Sequence, residues 1–126
     1  MEFDNNIPIY IQVIHDIKKD IVTGKLALGD KMISGRDLAL MYKINPNTAS
    51  RIYRELEAQE ICFTKRGLGT FVTEDKERIC NIRKDMANDL LEQFISGMSN
   101  LGLQKDEIFS MLEEKYQKFD ITENVK

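Results

Sequence analysis

The fold turns on residues 33–72, ISGRDLALMYKINPNTASRIYRELEAQEICFTKRGLGTFV. Asn45 followed by Pro46 is a helix start. The Asn side chain caps free backbone N–H groups, and Pro at the first helical position already has a suitable φ and no donor to waste. The spacing predicts a helix from residue 46 to about residue 60, with Ala49, Ile52, Tyr53 and Leu56 recurring at three- and four-residue intervals as its core stripe. Its other face carries Asn47, Ser50, Arg51 and Arg54, and acids arrive only at Glu55, Glu57 and Glu60. The first two turns are therefore neutral to basic and the last ones acidic. Upstream, Ser34 is a good N-cap for a helix over residues 35–43, with Leu38, Ala39 and Tyr42 inside and Leu40 and Met41 flanking them. Only Ile44 and Asn45 separate the two helices, a connection short enough to force a steep crossing. Downstream, residues 61–64 and 70–73 are β-rich runs joined by Lys65-Arg66-Gly67-Leu68-Gly69. Its glycines permit a tight turn with the two cations at the tip.

Two crossed helices and a cationic hairpin predict a winged helix-turn-helix that grips double-stranded DNA. A helix whose N-terminal end is free of acid suits entry into the major groove, where its dipole also favours nearby phosphate. Arg36 is the leading candidate for a DNA contact, to base or phosphate. Asn47, Ser50 and Arg51 are expected to face base edges. Thr48 and Asn45 are expected to bond phosphates or to cap, and Ser34 to cap beside the backbone it contacts. Arg54 is expected on a phosphate, with an exposed salt bridge to Glu57 as the alternative. Lys65 and Arg66, with the backbone of Gly67 and Gly69, are expected at the minor groove or its phosphates, the alternative being a solvated turn.

These residues resemble the GntR family of bacterial transcription regulators. The match runs through Ser34-Gly35-Arg36-Asp37-Leu38-Ala39, Asn45-Pro46-Asn47-Thr48-Ala49, Leu56-Glu57-Ala58 and Gly67-Leu68-Gly69-Thr70-Phe71-Val72. The Asn-Pro-Asn-Thr form and the short remainder look like the YtrA branch, which has only a small helical C-terminal part. The resemblance covers residues 8–73 strongly. Ile33 stands where many relatives have Pro, Pro46 stands where other branches have arginine, and Arg51 is shifted one residue from the arginine those branches use. The resemblance implies repression as the default action, a transporter operon among the target genes, and a short third strand within residues 26–33 at the edge of the wing.

The whole chain has 126 residues and a net charge of −3, room for one core with an appendage rather than two independent cores. Residues 1–73 carry ten Lys and Arg against nine Asp and Glu, whereas residues 74–126 carry eight against twelve. Acid thus gathers behind the reading head, and binding must rest on focused cations and on pairing rather than on bulk charge. The start MEFDNNIPIY lacks a cationic n-region and an apolar h-region, and no run reaches the length of a membrane span, so a cytoplasmic protein is expected. Cys62 and Cys80 make no metal pattern and read as buried free thiols.

Before the head, Pro8 opens a helix to about residue 23 that stops at Gly24. Tyr10, Ile14, Ile17 and Ile21 form its stripe beside Val13, and His15, Asp16, Lys18, Lys19 and Asp20 face out. After Thr73 a long helix follows, with Ile79, Ile82, Met86, Leu90, Phe94 and Met98 near the seven-residue rhythm of a helix pair, widened by Leu91 and Ile95. Residues 99–102 break it. A second helix runs from about residue 104 through Ile108, Met111 or Leu112, Tyr116 and Phe119, and residues 120–126 read as a frayed tail.

The predicted organisation is mainly α with a small antiparallel β-wing: a DNA-binding domain at 1–73 and a helical dimerisation hairpin at 74–126. Two helices cannot hide stripes this wide from each other, so a symmetric homodimer is expected to use Ile79, Ile82, Met86, Leu90, Phe94, Met98, Ile108, Leu112 and Tyr116; the alternative is the back wall of a monomeric core. An inverted-repeat operator follows from the two-fold pairing. No phosphate loop, metal spacing or nucleophile with its base is present, so neither an enzyme nor a cofactor is expected. A small-molecule effector has no closed cavity here and would need a groove. A second function class, a winged helix that docks a protein instead of DNA, calls for an apolar patch on the reading helix, where the chain has Asn, Ser and Arg.

Overall fold

A computed structural model describes residues 2–123 of the chain, with side chains through Phe119. Five helices and one two-stranded sheet follow in the order α1 (Ile9–Val22), α2 (Gly35–Tyr42), α3 (Pro46–Ala58), β1 (Cys62–Lys65), β2 (Gly69–Val72), α4 (Lys76–Asn100) and α5 (Lys105–Glu123). Backbone contacts divide it into two compact units, residues 1–85 and 86–126.

The first unit owns the core. Val13, Ile14, Ile17 and Ile21 of α1 are buried with Leu38 and Ala39 of α2, Ala49, Ile52 and Leu56 of α3, and Ile61, Cys62 and Val72 from the hairpin. Ile82, two turns into α4, is 5 % exposed and completes it. Fully buried side chains of this size stabilise a fold by about 1.5–3 kcal/mol each before chain entropy is charged against them. Two phenols tie the helices across this core. Tyr42 donates to the Asp16 carboxylate of α1 at 2.5 Å, and Tyr53 donates to the Ile33 carbonyl at the entry to α2. Burial, reinforced by Asp16, raises the Tyr42 phenol well above its ordinary range, and burial with Cys62 and Asp37 does the same for Tyr53. Both phenols therefore act as neutral donors.

The caps fall where the side chains place them. Ser34 Oγ accepts from the Asp37 N–H at 3.0 Å, and Asn45 Oδ1 accepts from the Asn47 N–H at 2.7 Å. Asp75 caps α4 by accepting from the Glu77 and Arg78 N–H groups. Arg78 then reaches the Gln59 carbonyl at 2.9 and 2.6 Å, placing a cation at the negative end of α3.

Several boundaries differ from expectation. The helix expected to reach residue 43 ends at Tyr42, because Lys43 turns left-handed at φ 56° and ψ 48°. The reading helix stops at Ala58, two residues early. Glu60 adopts φ 59°, its N–H bonds Glu57 O, and the Ile61 N–H bonds Leu56 O at 2.9 Å. This is a Schellman closure, made with glutamate because it carries Ile61 into the core at 0 % exposure. Each strand is displaced by one residue, since Ile61 is spent in that closure; the register is Cys62 with Val72 through Lys65 with Gly69. The third edge implied by the resemblance exists as a single bridge of Lys31 with Phe71, flanked by Met32 N–H to Thr70 O and Val72 N–H to Asp30 O.

In the second unit α4 continues through Ser99 and Asn100, so the break is shorter than residues 99–102. It closes at Gly102, φ 82°, with Leu103 N–H on Met98 O and Gly102 N–H on Ser99 O, the same closure with the residue that best tolerates it. The frayed tail is corrected for residues 120–123, which are helical; no Gly or Pro interrupts the chain there. Residues 124–126 lie outside the described residues. Cys62 is buried but Cys80 is exposed, because position 80 falls on the outer face of α4, between Ile79 and Ile82.

Candidate nucleic-acid interface

Polar side chains concentrate at the N-terminal end of α3. Asn47, Ser50, Arg51 and Arg54 are exposed, Thr48 is half-buried, and the first turn holds no acid. Asn45 uses its side-chain oxygen for the cap, which leaves its amide nitrogen as the group able to meet a phosphate. Ser34 accepts through Oγ in the same way and keeps its hydroxyl hydrogen for donation. Arg36 is exposed in the first turn of α2, two residues past the cap.

The wing is a tight hairpin. Leu68 N–H closes on Lys65 O at 2.9 Å, and Gly67 and Gly69 take φ of 80° and 120°. Both cations were expected at the tip; the structure keeps only Arg66 in the turn. Lys65 ends β1 opposite Gly69, its Nζ 5.6 and 5.1 Å from the ring centroids of Phe63 and Phe71, which stack on each other at 5.8 Å. Thr64 and Thr70 face each other across the strands with oxygens 3.2 Å apart, and Thr64 also bonds the Glu57 carboxylate of α3. That bond anchors the wing to the reading helix.

Two contributors escaped the sequence reading. Lys31 lies along the wing: a Cβ on Gly69 would come within 3.0 Å of its Cε. A groove of about 580 Å³ brings Lys31, Gly69 and Thr70 together with Ser34 and Gly35 at the start of α2. The other is Tyr10, whose ring lies 3.8 Å beneath the Arg51 guanidinium carbon. A bridge of strand at 31 and a contact spanning two helices leave no local periodic signal.

The predicted pairing residues sit in different places. Ile82 is buried within the first unit and Ile79 is half-buried there, so Ile82 has no surface to offer a second copy. In the second unit Met86, Phe94, Met98, Ile108 and Leu112 are half-buried, while Leu90 and Tyr116 are 63 % and 62 % exposed. Leu91, Ile95, Phe109, Met111 and Phe119 are exposed beside them. Among the described residues no group of His, Cys, Asp or Glu is placed to hold a metal, and no helix is long and apolar enough to cross a membrane.

Two capped helices separated only by Lys43, Ile44 and Asn45, with a hairpin bonded to the second helix, make the winged helix-turn-helix of DNA-binding regulators. Residues 9–72 match the family described as "Bacterial regulatory proteins, gntR family". The chain belongs to that GntR family and is a DNA-binding transcription regulator. It is 38 % identical over 107 residues to the HTH-type transcriptional regulator YhcF of Bacillus subtilis, covering 85 % of this chain and 88 % of that one. To the HTH-type transcriptional repressor YtrA of the same organism it is 33 % identical over 111 residues, covering 87 % and 85 %. A solved GntR family transcriptional regulator from Listeria monocytogenes superimposes with a TM-score of 0.84 at 46 % identity, covering 89 % of this chain and 98 % of that one.

Proposed function

We propose that the protein is a repressor that binds an inverted-repeat operator as a homodimer in the cytoplasm. Residues 1–73 form the reading head, its core completed by Ile82, and residues 74–126 form the pairing region. The observation that carries the dimer is the absence of any buried residue among the described positions 86–119, although this segment holds Leu90, Leu91, Ile95, Phe109, Met111, Tyr116 and Phe119 in the open. Apolar surface of this extent on two helices is what a two-fold interface covers. The printed description of YtrA as a repressor supports the sign of regulation.

In each head Asn47, Ser50 and Arg51 meet base edges in the major groove, and Arg36 meets a base or its phosphate. Asn45, Thr48, Arg54 and Ser34 hold the flanking backbone. Lys65, Arg66 and the Gly67 and Gly69 backbone lie at the minor groove, joined by Lys31. Rigid pairing makes half-site spacing part of the code. Inserting about five base pairs, half a helical turn, between the arms of a selected operator tests this in a gel shift. Tight binding is then expected to vanish; unaltered affinity would remove the paired geometry.

A further inference from the structure

Arg51 is not a loose surface arginine. Its guanidinium carbon stands 3.8 Å over the Tyr10 ring, yet the residue remains exposed to solvent. At that separation the two planes must lie nearly parallel, because a perpendicular guanidinium would drive a nitrogen, about 1.3 Å from the carbon, inside van der Waals contact with the ring. Stacking consumes only the face of the group. The five N–H donors lie in its plane and point outward, so the edge that pairs with a guanine in the major groove stays open.

The platform is itself held. Tyr10 is half-buried in the first turn of α1. The segment before it is stapled by Gln12, which donates to the Asp4 and Ile7 carbonyls at 2.7 and 2.8 Å and accepts from the Asp4 N–H at 2.8 Å. An unsupported arginine must give up side-chain freedom when it meets DNA, which weakens binding. Here that freedom is restricted before DNA arrives.

We propose that Tyr10 is a positioning residue for Arg51, fixing the plane of its guanidinium so that one orientation of its donor edge is presented to a base pair. This rests on the DNA-reading function above and adds a specificity determinant outside the recognition helix. The test is selection from a random duplex pool with the full chain, comparing wild type, Arg51→Ala, Tyr10→Phe, Tyr10→Leu and Tyr10→Met. Arg51→Ala should lose preference at one base pair of each half-site. The Leu and Met variants should lose it at that same base pair, with affinity for the wild-type duplex down about two- to fivefold, while Tyr10→Phe keeps the motif. Tyr10→Leu should add no loss on top of Arg51→Ala. Retention of the motif by the folded Leu or Met variant overturns the proposal, as does tighter binding, which would mean that the ring withholds Arg51 from DNA. A wild-type pool with no enriched sequence would sink the sequence-reading function itself and this inference with it.

Discussion

Residues 1–85 contain every buried apolar side chain of the described protein, while residues 86–119 contain none. Both regions are helical and both carry apolar stripes, so helix formation alone does not separate them. The first has three helices and a hairpin to close around one centre. The second has only two helices for stripes that need more than two walls. On the proposed reading, a short chain holds a self-sufficient reading head beside a pairing element that a second copy completes.

The contrast breaks most visibly if pairing is removed. Leu91→Asp with Phe109→Asp puts charge on the open face of the second unit, and operator affinity should fall about 10²- to 10⁴-fold as the second half-site becomes an independent encounter. Thermal unfolding of the head should hardly move. Next, Ile52→Ala, at a site with 0 % exposure, should cost about 2–5 kcal/mol in denaturant unfolding. That loss should not depend on protein concentration, whereas the smaller loss from Leu90→Ala should shrink on dilution, as wild type and variant both dissociate. At the groove, Arg36→Ala and Arg51→Ala should each cost about 1–3 kcal/mol of specific binding if they read a guanine. On the wing, Lys31→Ala, Lys65→Ala and Arg66→Ala should each flatten the salt dependence of binding by about one unit of slope and weaken all sequences alike.

The smallest effect separates the two cysteines. Burial, then Glu57, pushes the Cys62 thiol from 9.0 up to about 12, so at neutral pH the folded protein holds it as an inert thiol. A thiol reagent at pH 8 should modify the exposed Cys80 at once and Cys62 only on unfolding. The linkage has one sign. The unfolded thiol loses its proton first, so stability is flat below pH 9 and falls as pH rises from 9 toward 12. The raised phenols of Tyr42 and Tyr53 steepen that fall.

Sequence was most legible where one residue type has one physical use. Ser34, Asn45 and Pro46 marked both helix starts, and the Ala49, Ile52 and Leu56 stripe marked the buried face. It was least legible where a residue does what its type disfavours. Lys43 and Glu60 end helices left-handed, which neither side chain announces. At the interface, the exposed set on α3 followed from periodicity. Lys31 and the Tyr10–Arg51 stack did not, because each depends on segments brought together only by the fold. Spacing marks Tyr10 only as part of the α1 stripe. Along α4 the heptad rhythm runs on through Ile82 without marking that the head's own core claims it.

Sedimentation velocity of the full chain at micromolar concentration tests the pairing most directly. A species of twice the 14.6 kDa chain mass is expected, reduced to a single chain by the Leu91→Asp, Phe109→Asp variant. A wild-type protein that sediments as one 14.6 kDa chain would contradict it.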